Sequence, residues 1–359
     1  MMELRFHFGE RDRDGDGPLD AAVMDACARR GVTAAALLRG VEGFGAKHRL
    51  RTDRLLTLSE DAPLVAVAVG ETREIEALAE EVRDMASGRL MVLEGVAVVD
   101  GVAVGGRGAP DDEGEGSDGA PGDREERAPS DGEGDLVKAT IWGPRTGSAS
   151  PHLDAVAALK RHGAAAATVL LGVDGVLEGE RRRARFVAGN TGVPAMTVAI
   201  GERAAVGAAL EELDGAAHLV TLEAVESSSR IPRASLHGKG VEPRWRIEPP
   251  SLHAGATRVT LVTSEIAACD SGPLYVELIR RLRAEGAAGA TALRGVWGFR
   301  GEEEPHGDRV LSLRRDVPLV VEAVDAPERA ARWRDLALEL AGDQDVVYSE
   351  AISGPFGLK

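Results

Sequence analysis

The segment Arg39-Gly40-Val41-Glu42-Gly43-Phe44-Gly45 and the bases behind it are the residues best placed to do chemistry. Glycines let backbone N–H groups come close to a phosphate, and a guanidinium offers paired donors to its oxygens. Lys47, His48, Arg49, Arg51 and Arg54 crowd the following loop, offset only by Asp53. That pattern suits a small anion. It equally suits a tight strand exit with a solvated basic loop, and the two readings stand side by side. Phe44 can anchor a small core or stack on a base. An echo, Arg294-Gly295-Val296-Trp297-Gly298-Phe299-Arg300, lies far downstream, and a weaker one, GVDGVL, covers residues 172–177.

Other clusters carry less. Arg181, Arg182, Arg183 and Arg185 sit beside Glu178 and Glu180, which fits a solvated or partner-facing loop. Glu302, Glu303 and Glu304 precede His306, yet consecutive carboxylates on a loop seldom point inward together, so no metal is expected. Glu94, Glu223 and Glu350 recur in similar apolar settings (VLEGV, TLEAV, YSEAI). One carboxylate per setting is not an acid–base pair. If the three settings meet in space they cluster; otherwise each is a partner of a backbone or arginine group. There is no nucleophile elbow, phosphate-binding Walker loop, HExxH or CxxC, and the eight histidines are scattered. No catalytic set is expected, and no cofactor is required.

The elements that position these residues repeat three times. Pro18, Pro151 and Pro273 each open a helical run that Gly31, Gly163 or Gly286 closes, at intervals of 13, 12 and 13 residues. Proline at the first helical turn and glycine just past the last is the expected asymmetry. The turn follows at Gly40, Gly172 and Gly295, and Pro63, Pro194 and Pro318 lie 23, 22 and 23 residues beyond it. Each of these prolines opens an apolar strand: LVAVAV (64–69), AMTVAI (195–200) or LVVEAV (319–324). Opening strands read LRFHF (4–8), VKATIW (137–142) and RVTLV (258–262), and a strand with the recurring glutamate closes each unit. Helical spacing appears at Leu19, Val23 and Cys27 and again at Ile75, Leu78, Val82 and Met85.

The order β-α-β-β-α-β predicts an α+β fold of three ferredoxin-like units at 1–99, 136–226 (divergent) and 257–359. Strands such as LVAVAV are apolar on both faces. Helices cover one face only, so the other needs a second cover. Three units facing a common centre supply it, which predicts an intrachain pseudo-trimer in a monomeric chain.

Composition bounds the rest. Of a net charge of −16, residues 100–135 contribute −9 through twelve acids and three bases. That stretch, rich in Gly, Pro and Ser, reads as a disordered acidic linker, and 227–256 as a second linker. The acidic balance argues against nucleic acid as a partner. Two distant cysteines, Cys27 and Cys269, and the lack of a long apolar run fit a cytoplasmic protein.

LRGVEGFG (38–45), LLTLSEDAPLVAVAV (55–69), ALRGVWGFR (292–300) and VLSLRRDVPLVVEAV (310–324) resemble the PII-like signalling proteins, in particular the bacterial PII-like family called domain of unknown function 190. Single-unit members form homotrimers, so the resemblance implies a trimer made from one chain. It further implies a regulatory protein whose clefts between units bind a small anionic metabolite, an adenine nucleotide first. A protein partner, with a membrane channel or transporter as candidate, reads the state of the loop. Carried over, the binding residues are Arg39, Gly40, Gly43, Phe44, Gly45 and Lys47, the turn Ser87-Gly88-Arg89 before the closing strand, and Arg294, Gly295, Gly298 and Phe299. The second unit has Ala217 and His218 at that turn, and the third has Asp343, Gln344 and Asp345, which repel phosphate. The alternative is a protein-docking scaffold whose clefts have decayed.

Overall fold

The computed structural model describes residues 1–45, 47–52, 61–85, 88–99, 136–146, 151–185, 190–213, 217–227, 255–307 and 316–356. The acidic stretch 100–135, most of the second expected linker, and Asp53, Arg54 and Ser87 lie outside them.

Among the described residues the fold is mixed α/β, with six helices against one large antiparallel sheet. The first repeat runs strand Met2–Gly9, helix Leu19–Arg30, strand Ala34–Phe44, strand Pro63–Gly70, helix Thr72–Arg83 and strand Leu90–Gly95. The second runs Leu136–Pro144, helix Pro151–Arg161, Ala166–Leu177, Pro194–Glu202, helix Arg203–Glu212 and Leu219–Ala224. The third runs Ala256–Ser264, helix Leu274–Ala284, Gly289–Arg294 with Trp297–Arg300, Pro318–Asp325, helix Pro327–Leu340 and Val346–Phe356. In every repeat the second strand pairs with the third, the third with the opening strand, and the opening strand with the closing one.

The landmark residues act locally as their chemistry dictates. Gly31, Gly163 and Gly286 adopt φ of 69°, 83° and 83° just past the helix ends, a conformation open to glycine without a Cβ penalty. Alternation along the strands then divides the side chains. Leu4, Phe6 and Phe8 join Leu19, Val23, Ile75 and Leu78 in a core between sheet and helices, and the other two repeats build equivalent cores.

The opposite sheet faces meet one another. Val65, Val67 and Val69 pack with Trp142, Leu170 and Met196 of the second repeat. Ile200 and Val225 pack with Val262 and Tyr348 of the third, and Val324 and Ile352 pack with Leu90 and Val92 of the first. The second face of each apolar strand is therefore covered by a neighbouring repeat.

One expectation changes. The second strand does not end before RGVEGFG; it runs through it to Phe44, and in the second repeat through Gly172 and Gly175 to Leu177. Its outer half leaves its own sheet and pairs with the second strand of another repeat. Gly43 lies opposite Thr291, Gly175 opposite Ala36, and Gly298 opposite Thr168, so the first repeat joins the third, the third the second, and the second the first. The glycines make the crossing possible. A Cβ on Gly43 would stand 2.7 Å from the Ala290 carbonyl oxygen, and Cβ atoms on Gly175 and Gly298 would collide with the carbonyls of Ala35 and Ala167. Each of the three also lies against its own strand-opening proline, Pro63, Pro194 or Pro318. A second cycle follows: Ala97–Val98, just past the first closing strand, pairs with the second repeat, Glu226–Ser227, just past the second, pairs with the third, and Ser353, in the outer part of the third closing strand, pairs with Leu93 of the first.

Candidate functional site

The strand exchange creates three junctions, each where the end of one repeat's second strand meets the end of another repeat's first helix. At the first, Phe44 and Gly45 face Gly289 of the third repeat, whose Cβ would stand 3.3 Å from the Phe44 carbonyl oxygen and 3.7 Å from the Gly45 Cα. Phe44 is buried and stacks on His48 at 5.7 Å, and Arg283 of the third repeat donates to the His48 carbonyl at 2.6 Å. Lys47 passes over Gly88, where a Cβ would meet its Cε at 2.9 Å; Gly88 itself has φ of 69°. Arg89 follows, donating to Asp12 at 2.9 Å and to the Met85 carbonyl at 2.6 Å. Arg51 holds the other oxygen of Asp12 at 3.0 Å and reaches Asp61 at 3.2 Å. Burial alone would raise the Asp12 carboxyl. The hydrogen bonds from Arg89 and the Gly9 amide, with the charge of Arg51, hold it below the usual carboxylate range. Lys47, Arg51, Arg89 and Arg283 thus bring cations of two repeats to one edge.

The second junction sets Leu177, Glu178, Gly179, His218 and Leu219 against Gly31, Val32, Thr33 and Ala34 of the first repeat, around a cavity of about 160 Å³. Its imidazole, His218, already bonds Glu178 at 3.1 Å. The third junction is filled. The Gly301 amide donates to the Ala165 carbonyl at 2.8 Å, Lys160 donates to the Gly301 carbonyl at 3.1 Å, and the Gln344 side chain lies where a Cβ on Gly301 would be. Asp345 is buried and holds Arg300 at 2.5 Å. Its acid braces the junction, a role the sequence did not reveal.

The expected binding residues are therefore dispersed. Phe44, Gly45, Lys47, Gly88 and Arg89 share the first junction. Gly40 and Gly43 lie along the crossing strand, against Ala292 and Ala290 of the third repeat. Gly295 and Gly298 do the same against Thr168 and Ala167, and Phe299 is buried under Lys160, whose Nζ stands 5.1 Å from its ring centre. Arg39 pairs with Glu10 at 3.0 Å and Arg294 with Glu265 at 2.5 Å, matching bridges of the first and third repeats. In the loop at 302–306, Glu303 pairs with Arg300 at 3.0 Å and His306 lies 3.5 Å from Asp316, so its acids do not converge.

Glu94, Glu223 and Glu350 do converge, on the buried faces at the centre. Lys138 lies opposite Glu223 and Arg258 opposite Glu350 across the opening and closing strands, but Glu94 faces another acid, Glu3. Arg258 donates to both oxygens of Glu94, at 2.8 and 3.0 Å, and to Glu350 at 2.8 Å. Lys138 reaches Glu350 at 2.5 Å and Glu223 at 3.0 Å, while Arg5 reaches Glu3 and Glu322 at 2.6 Å each. Five acids meet three bases with almost no solvent access. Burial pushes Glu223 up to about 8, against the pull of Lys138 and with the repulsion of Glu94, Glu3 and Glu350. Burial would also raise Glu3, Glu322 and Glu350, but Arg5 holds down Glu3 and Glu322, and Arg258 holds down Glu350. One oxygen each of Glu3, Glu94 and Glu223 lies within 4.8 Å of the others, a spacing a cation could use. The recurring glutamates were visible in the sequence; Glu3, Arg5, Lys138, Arg258 and Glu322 carried no signal beyond being charges inside apolar strands.

The family model of DUF190, described as an uncharacterised ACR, matches residues 1–98, 145–227 and 256–352. A UPF0166 protein of Aquifex aeolicus (strain VF5) is 32% identical over 73 residues, which are 20% of this chain and 70% of that protein. A solved aspartate kinase from Synechocystis covers 98% of the chain at 8% identity and a TM-score of 0.25, with 43% of its own length matched, a likeness too slight to inform the fold or the function. Among the described residues no helix is long and apolar enough to cross a membrane.

Proposed function

Because the chain belongs to the DUF190 family, with three matched segments, we propose that it is a PII-like regulatory protein. In this reading its ferredoxin-like repeats close an intrachain pseudo-trimer and one inter-repeat cleft senses a small anion. The observation that carries the reading is the first junction. There the base of the loop that follows the first repeat's second strand, with Lys47 and His48, the Gly88-Arg89 turn and Arg283 of the third repeat come together at one edge. A ligand bound there touches both repeats and the root of the loop, so its arrival can alter what the loop presents to a partner.

The chemistry favours a phosphate-bearing metabolite, an adenine nucleotide first. Arg89 and Arg283 offer charge-assisted donors, and His48, stacked on the buried Phe44, offers an aromatic face. The other junctions are poorer in cations: one leaves His218 paired with Glu178, and one is filled by Gln344. One live cleft in three suits a fused chain, in which each repeat is free to diverge. Neither an enzymatic reaction nor a resident cofactor enters this reading. A membrane channel or transporter is the candidate partner by family resemblance alone, and the cytoplasm the candidate compartment.

A thermal-shift series with AMP, ADP, ATP and cyclic nucleotides on the full chain tests the proposal. A rise in melting temperature that grows with ligand concentration is expected for at least one of them. No shift at millimolar concentration of any nucleotide would favour the docking-scaffold reading, for which the filled third junction already speaks.

A further inference from the structure

We propose that the second repeat carries a phosphate-type anion site of its own, outside the inter-repeat junctions, formed by Arg145, Arg182 and Arg185 around the turn Asn190–Val193. The argument begins with a substitution inside the repeat. The opening-strand residue that lies opposite the strand-opening proline is Gly9, Pro144 or Ser264. The next residue is Glu10 in the first repeat and Glu265 in the third, and each pairs with an arginine on the second strand, Arg39 or Arg294. In the second repeat the same two positions hold Arg145 and Leu171. The acid has become a base and its partner has become apolar. Arg145 is half-buried, and neither it nor Arg185 has a carboxylate partner among the described residues; burial is what depresses the Arg145 guanidinium, with no acid offsetting it. A half-buried cation without a counter-charge costs stability unless an anion supplies one.

The surroundings supply the rest of a site. The Arg145 amide donates to the Val193 carbonyl at 2.8 Å, and the Gly192 amide donates to the Arg145 carbonyl at 2.8 Å. The Arg182 side chain runs over Gly192, where a Cβ would stand 3.5 Å from its Cδ and 3.6 Å from its Nε. The Arg185 amide is held by the Asn190 side chain at 2.7 Å. A groove of about 760 Å³ opens here, lined by Glu180, the arginines 181, 182, 183 and 185, Asn190, Thr191 and Val193. The hairpin that carries the arginines is anchored before any ligand arrives. Arg181 grips Asp174 at 2.6 Å and pairs with Asp25, and Arg183 reaches Asp20 at 3.0 Å, the last two acids lying on the first helix of the first repeat. With Arg181 and Arg183 so engaged and Arg182 only in an exposed pair with Glu180, the lining cations left for a ligand are Arg182 and Arg185, and Arg145 stands next to the groove, bonded through its backbone to Val193 and Gly192. Several guanidinium groups around one turn favour a compact anion with two or more charges, which can accept from more than one of them.

The test is calorimetry of the full chain with inorganic pyrophosphate, repeated on Arg145→Glu, Arg185→Gln and Arg89→Ala. Arg145→Glu restores the residue type of the other two repeats, and Arg185→Gln alters an exposed side chain, so both should fold. Expected is pyrophosphate binding at millimolar concentration or tighter, weakened at least about tenfold by each of the first two changes, since a contact to a charged group is typically worth that much or more. Arg89→Ala, at the first junction, should leave it unaltered. No binding to the full chain, or binding that survives both Arg145→Glu and Arg185→Gln, would overturn the proposal. So would binding that only Arg89→Ala removes, because that assigns the anion to the junction of the proposed sensor.

Discussion

Arg258 of the third repeat donates to both carboxylate oxygens of Glu94 in the first, at 2.8 and 3.0 Å, although 164 residues of chain separate them. The same guanidinium holds Glu350, and Glu350 holds Lys138 of the second repeat. A buried bridge of this kind is poor evidence of net stabilisation, because desolvating both groups costs about what their attraction returns. Removing one partner, however, strands the other. Arg258→Met should therefore cost about 3–5 kcal/mol, as measured by urea unfolding. Pairing it with Glu94→Gln should recover part of the loss; a double variant as unstable as the sum of the single ones would mean that the bridge is not the source of the effect.

Glu223 gives the centre a pH dependence of definite sign. Its folded value is raised from an ordinary 4.5 to about 8, so between those limits the folded state binds more protons than the unfolded chain. Stability from this group is complete below about 4.5 and is lost as pH rises toward about 8. The depressed carboxyls of Glu3, Glu322 and Glu350 act in the opposite sense, losing stability as pH falls below their usual range. Glu223→Gln should flatten the decline on the alkaline side in a series of thermal melts, and leave the acid side unchanged.

The crossing glycines predict a graded response to a single methyl group. Gly175→Ala and Gly298→Ala drive a Cβ into the backbone carbonyls of Ala35 and Ala167, which cannot rotate away. Each should cost about 1–3 kcal/mol or more. Gly45→Ala, with no atom within 4 Å of the added carbon, should be close to neutral. Denaturant midpoints of the three variants decide this, and a Gly298→Ala as stable as Gly45→Ala would contradict the crossing.

Much of this architecture was legible because it rests on periodicity and on residues with narrow backbone preferences. Prolines and glycines at matching intervals located the helix starts and stops, and LVAVAV, apolar on both faces, required a second cover that the other repeats supply. What those glycines do was not legible. A glycine that ends a strand and one that lets a strand pass under a foreign carbonyl look alike in sequence, since the difference lies in Ala290, Ala35 or Ala167 of another repeat. The same limit hid the centre. Glu94, Glu223 and Glu350 stood out by recurrence, whereas Glu3, Lys138 and Arg258, at one equivalent position facing them, differ in charge and so showed no repeat. Asp345 read as a repulsive surface acid because nothing in its own segment announces Arg300 as its partner.

The cation set at the first junction yields the last prediction. Arg89 follows the Gly88 turn at this edge, and it is held by Asp12, which Arg51 shares. If a nucleotide binds at this edge, its phosphate competes with Asp12 for Arg89. Arg89→Ala should then lower affinity by roughly ten- to a hundredfold, the equivalent of about 1.5–3 kcal/mol for a charge-assisted contact. Asp12→Asn should raise affinity by freeing the guanidinium, an effect opposite in sign to that of simply loosening the loop. Because Lys47 is exposed and Arg89 only partly covered, affinity should also fall as salt is raised. Calorimetry with the nucleotide that gives the largest thermal shift, at two salt concentrations, separates the cases. A nucleotide that binds Arg89→Ala and wild type alike sits elsewhere on the molecule, and the junction is then a docking surface rather than a sensor.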